Sequence, residues 1–220
     1  MSTSVKICGL STPETLAAAL DAEADMVGFV FFAKSPRHVS LEQAKALAAR
    51  ARNRAEIVAL TVDPDDATLA AIVGATEPDY LQLHGAESPE RVAEIQRKFG
   101  VSAIKAIGVA EAGDFAKADA YRSAADALLI DAKPPKGAVL PGGNGVALDW
   151  RLARDFHPRK PWLLSGGLDA GNVAEAIRQS FARSVDVSSG VESAPGVKDV
   201  DKIRAFIAAA RAGFEAAERG

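Results

Sequence analysis

The sequence predicts an α/β protein folded as a (β/α)₈ TIM barrel, eight parallel strands wrapped by outer helices. Three observations predict it. Short apolar, β-branched runs alternate with longer segments of helical periodicity; eight such units of even size fill 220 residues; no Pro/Gly/Ser-rich linker divides them. An open doubly wound sheet uses the same alternation and is the alternative. The count of eight and the even unit size favour closure, so residues 1–220 are read as one barrel domain.

The expected strands, in order, are Val5–Cys8, Met26–Phe31, Glu56–Val62, Tyr80–Leu83, Ala103–Ile107, Ala127–Asp131, Trp162–Ser165 and Val185–Ser188. Helices between them carry start signals. Ser11-Thr12-Pro13-Glu14 and Ser40-Leu41-Glu42-Gln43 read as capping boxes, and Ser88-Pro89 as an N-cap with proline at the first helical position. The gap from Ala132 to Pro161 has the loop chemistry of Pro134-Pro135 and Pro141-Gly142-Gly143-Asn144-Gly145, then a short helix near Leu148–Phe156. In the last segment Val200, Ile203, Phe206, Ile207, Ala210 and Phe214 fall on one helical face.

Composition narrows the function. With 48% hydrophobic and 25% charged residues, the chain can bury a substantial core. A net charge of −3 without a basic block argues against nucleic acid as a partner. Apolar runs are strand-sized, far short of the roughly 20 residues that cross a bilayer, and no apolar signal segment opens the sequence. One cysteine allows no internal disulfide, and no Cys/His cluster points to a metal. These features lead us to expect a cytoplasmic, metal-free protein, either a monomer or a weak homodimer.

Side chains alternate across a strand, and the apolar sets suit the helix-facing side. That phase leaves Cys8, Gln82, His84, Asp131, Asp186 and Ser188 pointing into the barrel. Burying unpaired polar groups costs on the order of 1–3 kcal/mol each, so such a cluster needs mutual partners or a ligand. Cys8, His84 and Asp131 also stand at the C-terminal strand ends, where barrel enzymes build their sites. Lys6 and Lys105 are candidates to assist electrostatically or to pair with a carboxylate in the barrel floor.

The seventh strand runs into Ser165-Gly166-Gly167-Leu168 and the eighth into Asp186-Val187-Ser188-Ser189-Gly190-Val191. Glycines let backbone N–H groups approach an anion, and loops after the seventh and eighth strands are where barrels hold phosphate. Gly142-Gly143-Asn144-Gly145 is a weaker candidate to close over the same group.

Taken together, Lys6-Ile7-Cys8-Gly9-Leu10, Ser35-Pro36-Arg37, Leu81-Gln82-Leu83-His84-Gly85, Leu129-Ile130-Asp131, Gly142-Gly143-Asn144-Gly145, Leu164-Ser165-Gly166-Gly167-Leu168 and Asp186-Val187-Ser188-Ser189-Gly190-Val191-Glu192 resemble the phosphoribosylanthranilate isomerases of tryptophan biosynthesis. The likeness runs in order from Val5 to about Asp199. It implies a cofactor-free (β/α)₈ barrel whose small-molecule substrate, N-(5-phosphoribosyl)anthranilate, undergoes an Amadori rearrangement to an aminoketose. On this resemblance Asp131 is the general acid that opens the furanose ring, and Cys8 the general base that takes the C2′ proton. Arg37 pairs with the anthranilate carboxylate, as a planar guanidinium fork can. Gly166, Gly167, Ser189 and Gly190 fall in the phosphate loops, Gly142 and Gly143 at substrate-binding positions, and His84 and Asp186 at substrate-binding positions of unassigned role. Asn144 departs from the Thr or Ser common in that loop, which implies tuned phosphate contacts.

Two other readings stand beside this one. The related histidine-pathway isomerase performs the same rearrangement on a larger substrate with two phosphates, but uses aspartates for both proton transfers. A noncatalytic phosphate-binding barrel would need neither Cys8 nor Asp131. Free thiols titrate near ~8.5 and aspartic acid near ~3.9, so the expected chemistry asks each group to work away from its ordinary state.

Overall fold

The computed structural model describes residues 3–133, 137, 140, 142 and 148–219. Eight parallel strands close into a barrel in chain order, β1 (Ser4–Cys8), β2 (Met26–Phe31), β3 (Glu56–Thr61), β4 (Tyr80–Leu83), β5 (Ser102–Val109), β6 (Ala127–Ala132), β7 (Trp162–Leu164) and β8 (Ser184–Val187). The closing pair is β1 with β8, where Lys6 lies opposite Asp186. Each expected strand is present, Met26–Phe31 and Tyr80–Leu83 with the expected bounds and the others with ends that move by at most two residues.

Helices α1 (Pro13–Asp21), α2 (Leu41–Ala51), α3 (Asp66–Thr76), α4 (Pro89–Phe99), α5 (Ala116–Asp119), α6 (Val173–Ser180) and α7 (Val200–Arg219) follow strands on the outside. Ser40 and Ser88 cap α2 and α4, accepting from the Gln43 and Arg91 backbone N–H groups, but the Gln43 side chain donates to Ser11 O and leaves the expected capping box open. The capping box expected at Ser11–Glu14 gives way to a single N-cap one residue later. Thr12, not Ser11, is the N-cap of α1, and its hydroxyl accepts from Thr15 N. The helix expected near Leu148–Phe156 shortens to a 3₁₀ turn, Trp150–Ala153. Phe156 instead packs against Phe115 and Trp162, with ring centroids 4.7 and 5.3 Å away, before Pro158 and Pro161 preclude helix. After β8 comes a two-stranded hairpin, β9 (Glu192–Ala194) and β10 (Val197–Lys198), ahead of α7.

The helix-facing sets of the strands bury a broad core against α1, α2, α6 and α7, including Val5, Ile7, Phe29, Ile130, Phe206 and Phe214. Inside the barrel the lower layer is apolar, formed by Met26, Val58, Ile104, Ala106, Ala127, Leu129 and Leu163. At the bottom, three aspartates staple strands in pairs. Asp25, Asp79 and Asp126 each precede an even-numbered strand, and their carboxylates accept from Val5 N, Ile57 N and Ala103 N at 2.6–2.8 Å. Each of the same aspartates donates its own N–H back to the carbonyl of that residue. Among the described residues no helix is long and apolar enough to cross a membrane.

Candidate active site

With the lower barrel filled by side chains, the polar inward positions are pushed to its C-terminal mouth. There a pocket of about 760 Å³, counting the space open to solvent at its rim, is lined by Cys8, Arg37, His84, Asp131, Gly142, Gly166, Gly167, Asp186 and Ser189, among others. Every expected site residue except Gly190 and Gly143 therefore borders one cavity. Gly190 is its immediate neighbour in the loop after β8, packed so close to Leu168 O that a Cβ would collide. Gly143 lies outside the described residues, as do Asn144, Gly145, Pro134 and Pro135.

Asp131 is 6% exposed at the end of β6. Its Oδ1 accepts from Ala132 N at 2.8 Å, which leaves Oδ2 as the oxygen turned to the pocket. His84 Nε2 lies 3.4 Å from Oδ2, and the other ring nitrogen, Nδ1, is 3.0 Å from Gln82 Nε2. Gln82 thus sets the His84 ring from β4 beside the acid's free oxygen. Gly142 lies against Oδ2 and His84 Nε2, so that residue stands beside the carboxyl itself.

Cys8 is 3% exposed and shares the inward face of β1 with Lys6. The Lys6 ammonium, fully buried, donates to Asp186 Oδ1 at 2.6 Å, while Asp186 Oδ2 accepts from Ser165 Oγ at 3.1 Å. Burial disfavours the charge on Lys6, but Asp186 and Cys8 outweigh it and hold the ammonium above its ordinary pKa. Burial pushes the Cys8 thiol up; Asp186 adds to the rise, and Lys6 and Lys198 oppose it without cancelling it. Lys105 departs from expectation. It shares a face with Ala103 and Ile107, away from the barrel interior, and its ammonium meets Leu83 O, Gly85 O and Glu87 at 2.7–3.1 Å. There it braces the loop that follows His84.

Cys8 needs room that only glycine on β2 supplies. A Cβ at Gly28 would stand 3.0 Å from Cys8 Sγ and 3.2 Å from its Cα. Gly28→Ala is therefore expected to displace the thiol, lowering kcat about tenfold or more and costing about 1–3 kcal/mol of stability. Steady-state kinetics beside thermal melts would check this, and wild-type kcat would show that the thiol's position is not critical.

The loop after β7 holds Gly166 and Gly167 at φ of 87° and 68°, a left-handed pair that suits glycine and exposes backbone N–H groups. With Ser189 and Gly190 across from it, the rim there is fit for an anion. Arg37, only 6% exposed, sits in the loop after β2 as a held charge rather than a solvated one. Lys198 and Glu192, which sequence reasoning did not single out as site residues, come in from the hairpin after β8. Lys198 Nζ donates to Ser188 O at 2.7 Å and to Glu192 Oε1 at 2.9 Å. Among the described residues no group of three or more His, Cys, Asp or Glu is placed to hold a metal ion.

Comparison with known proteins agrees with this geometry. Residues 5–209 match the family described as N-(5′-phosphoribosyl)anthranilate isomerase. A relative of that name from Nitrobacter hamburgensis is 58% identical over 212 residues, covering 96% of this chain and 94% of its own. One from Rhodopseudomonas palustris strain BisA53 is 60% identical over 208 residues, covering 94% and 95%. Among solved structures, a phosphoribosylanthranilate isomerase in complex with reduced 1-(o-carboxyphenylamino)-1-deoxyribulose 5-phosphate superposes with a TM-score of 0.83 at 33% identity, covering 96% of this chain and 99% of its own. The dimeric isomerase of Thermotoga maritima, solved as monomers, gives 0.82 at 33% identity over 96% and 99%. Neither the histidine-pathway isomerase nor a noncatalytic barrel gains support from these matches. With its barrel, its pocket and these relatives in accord, the chain belongs to the N-(5′-phosphoribosyl)anthranilate isomerase family.

Proposed function

We propose that the chain converts N-(5-phosphoribosyl)anthranilate to 1-(2-carboxyphenylamino)-1-deoxyribulose 5-phosphate in tryptophan biosynthesis, with Asp131 as general acid and Cys8 as general base. The observation that carries this reading is the opposition of two proton carriers across one pocket mouth. Cys8 is the last residue of β1 and Asp131 the last but one of β6, both inward and both lining the cavity beside the glycine loops. Protonation of the ring oxygen by Asp131 Oδ2 opens the furanose to a Schiff base. Cys8 then takes the C2′ proton to give an enolamine, and return of a proton to C1′ with loss of the enol proton yields the ketone. Two proton carriers suffice, and no cofactor enters.

The phosphate is assigned to the backbone of Gly166, Gly167, Ser189 and Gly190, and the anthranilate carboxylate to Arg37. His84 and Asp186 are assigned to holding Asp131 and Lys6, respectively, with the substrate packed against them. Gly142 and Gly143 are assigned to substrate binding, beside the same phosphate. Residues 1–220 are read as one domain, a reading supported by the closed barrel and by a family match over 5–209. We place the protein in the cytoplasm, as a monomer or a homodimer; the dimeric Thermotoga relative supports the latter.

Mixing purified protein with freshly prepared phosphoribosylanthranilate should quench the anthranilate-type fluorescence with first-order decay at low substrate. Persistence of the signal at micromolar protein would sink the assignment.

A further inference from the structure

Glu192 follows the loop after β8, and its side chain is 5% exposed between two cations. Oε1 accepts from Arg37 Nε at 2.7 Å and from Lys198 Nζ at 2.9 Å. Oε2 accepts from Arg37 Nη2 at 2.9 Å and from Gly196 N at 3.2 Å. Burial alone would push this carboxyl up, but the Arg37 hydrogen bonds and the Lys198 charge outweigh it, so Glu192 stays an anion at neutral pH. Lys198 carries the chain of contacts on to Ser188 O and Oγ, at 2.7 and 3.2 Å, where the loop bearing Ser189 and Gly190 begins.

A guanidinium on a flexible stem supplies charge anywhere in its reach, but it reads a planar carboxylate only when its own plane is set. The two-point grip of Glu192 sets that plane and ties it to the same loop that borders the anion rim. We propose that Glu192 is a positioning residue for the aromatic carboxylate of the substrate, acting through Arg37. This inference rests on the reading of Arg37 as the carboxylate's partner. The negative charge of Glu192 works against a second anion at Arg37. Two cations surround that one carboxylate, however, so the local balance stays positive and orientation decides affinity.

The test compares two substrates on the full chain: phosphoribosylanthranilate, and the analogue made from aniline, which lacks the carboxylate. If the analogue turns over too slowly, its inhibition constant against the natural substrate replaces its KM. Glu192→Gln should raise KM for the natural substrate about tenfold with kcat within about threefold, and leave the analogue unaffected. In an Arg37→Met background the same change should add nothing. Glu192→Asp keeps the buried charge balanced and shortens the reach. It should show a smaller rise with the same selectivity, which covers the case in which Glu192→Gln folds poorly. An equal loss on both substrates, an unchanged KM in both variants, or an additive loss in the Arg37→Met background would overturn the proposal. Arg37→Met with unaltered KM for the natural substrate would instead sink the underlying reading of Arg37.

Discussion

Asp131→Asn is expected to lower kcat by more than about 100-fold while KM changes by less than about threefold. The substitution is isosteric, and the amide oxygen remains as the acceptor that takes the Ala132 N–H at 2.8 Å. The turn at the end of β6 is thereby preserved, and the melting temperature should hold within a few degrees. What is lost is the second oxygen, the one beside His84 and Gly142 that is proposed to deliver the proton. An amide cannot deliver a proton to a ring oxygen, so ring opening falls back on water. Measuring kcat, KM and thermal stability on the same preparation separates the outcomes. A variant that melts like wild type and turns over at a normal rate would remove Asp131 from the acid role and point to His84, the other proton carrier within reach.

The strands were legible because barrel physics writes itself twice in the sequence. Apolar residues alternate with inward polar ones at Cys8, Gln82, Asp131 and Asp186, and the units repeat with even length. The same alternation could have excluded Lys105 from the barrel floor, since it shares a face with Ala103 and Ile107. The 3₁₀ turn at Trp150–Ala153 was less accessible, because Phe156 is drawn away by rings that come from outside its own segment. Glu192 and Lys198 stayed hidden for a related reason. Their place at the mouth depends on a hairpin that folds back under the loop after β8, a tertiary event with no local period. Gly28 did leave a signal, since glycine inside a strand pattern marks a close approach. The stapling aspartates left one too, each standing directly before an even-numbered strand.

Cys8→Ala should also lower kcat by more than about 100-fold, and the wild-type pH profile should show why cysteine is a demanding choice. Three charges face the thiol: Lys6 on its own strand, Asp186 on β8 and Lys198 on β10; the neighbouring Val30 and Leu60 are apolar. Burial and Asp186 raise the thiol's pKa above the ordinary value, and the two lysines only moderate that rise. The base is the thiolate, so a raised pKa leaves most molecules protonated at neutral pH, and activity must climb as pH increases. Bound substrate adds a phosphate dianion, which pushes the thiol further up. The rising limb should therefore lie at higher pH in kcat, which reports the complex, than in kcat/KM, which reports the free enzyme. Asp186→Asn removes the anion that opposes ionisation and should move the limb to lower pH. Lys6→Met should move it higher; either change breaks the buried Lys6–Asp186 pair, at a cost of about 3–5 kcal/mol, so thermal melts of both variants accompany the profiles. Thiolate absorbance in the ultraviolet, titrated on the same proteins, ties the limb to Cys8, because the chain has one cysteine. If kcat were flat from about pH 6 to 9 while that absorbance rose, the proton at C2′ would be leaving to some other group.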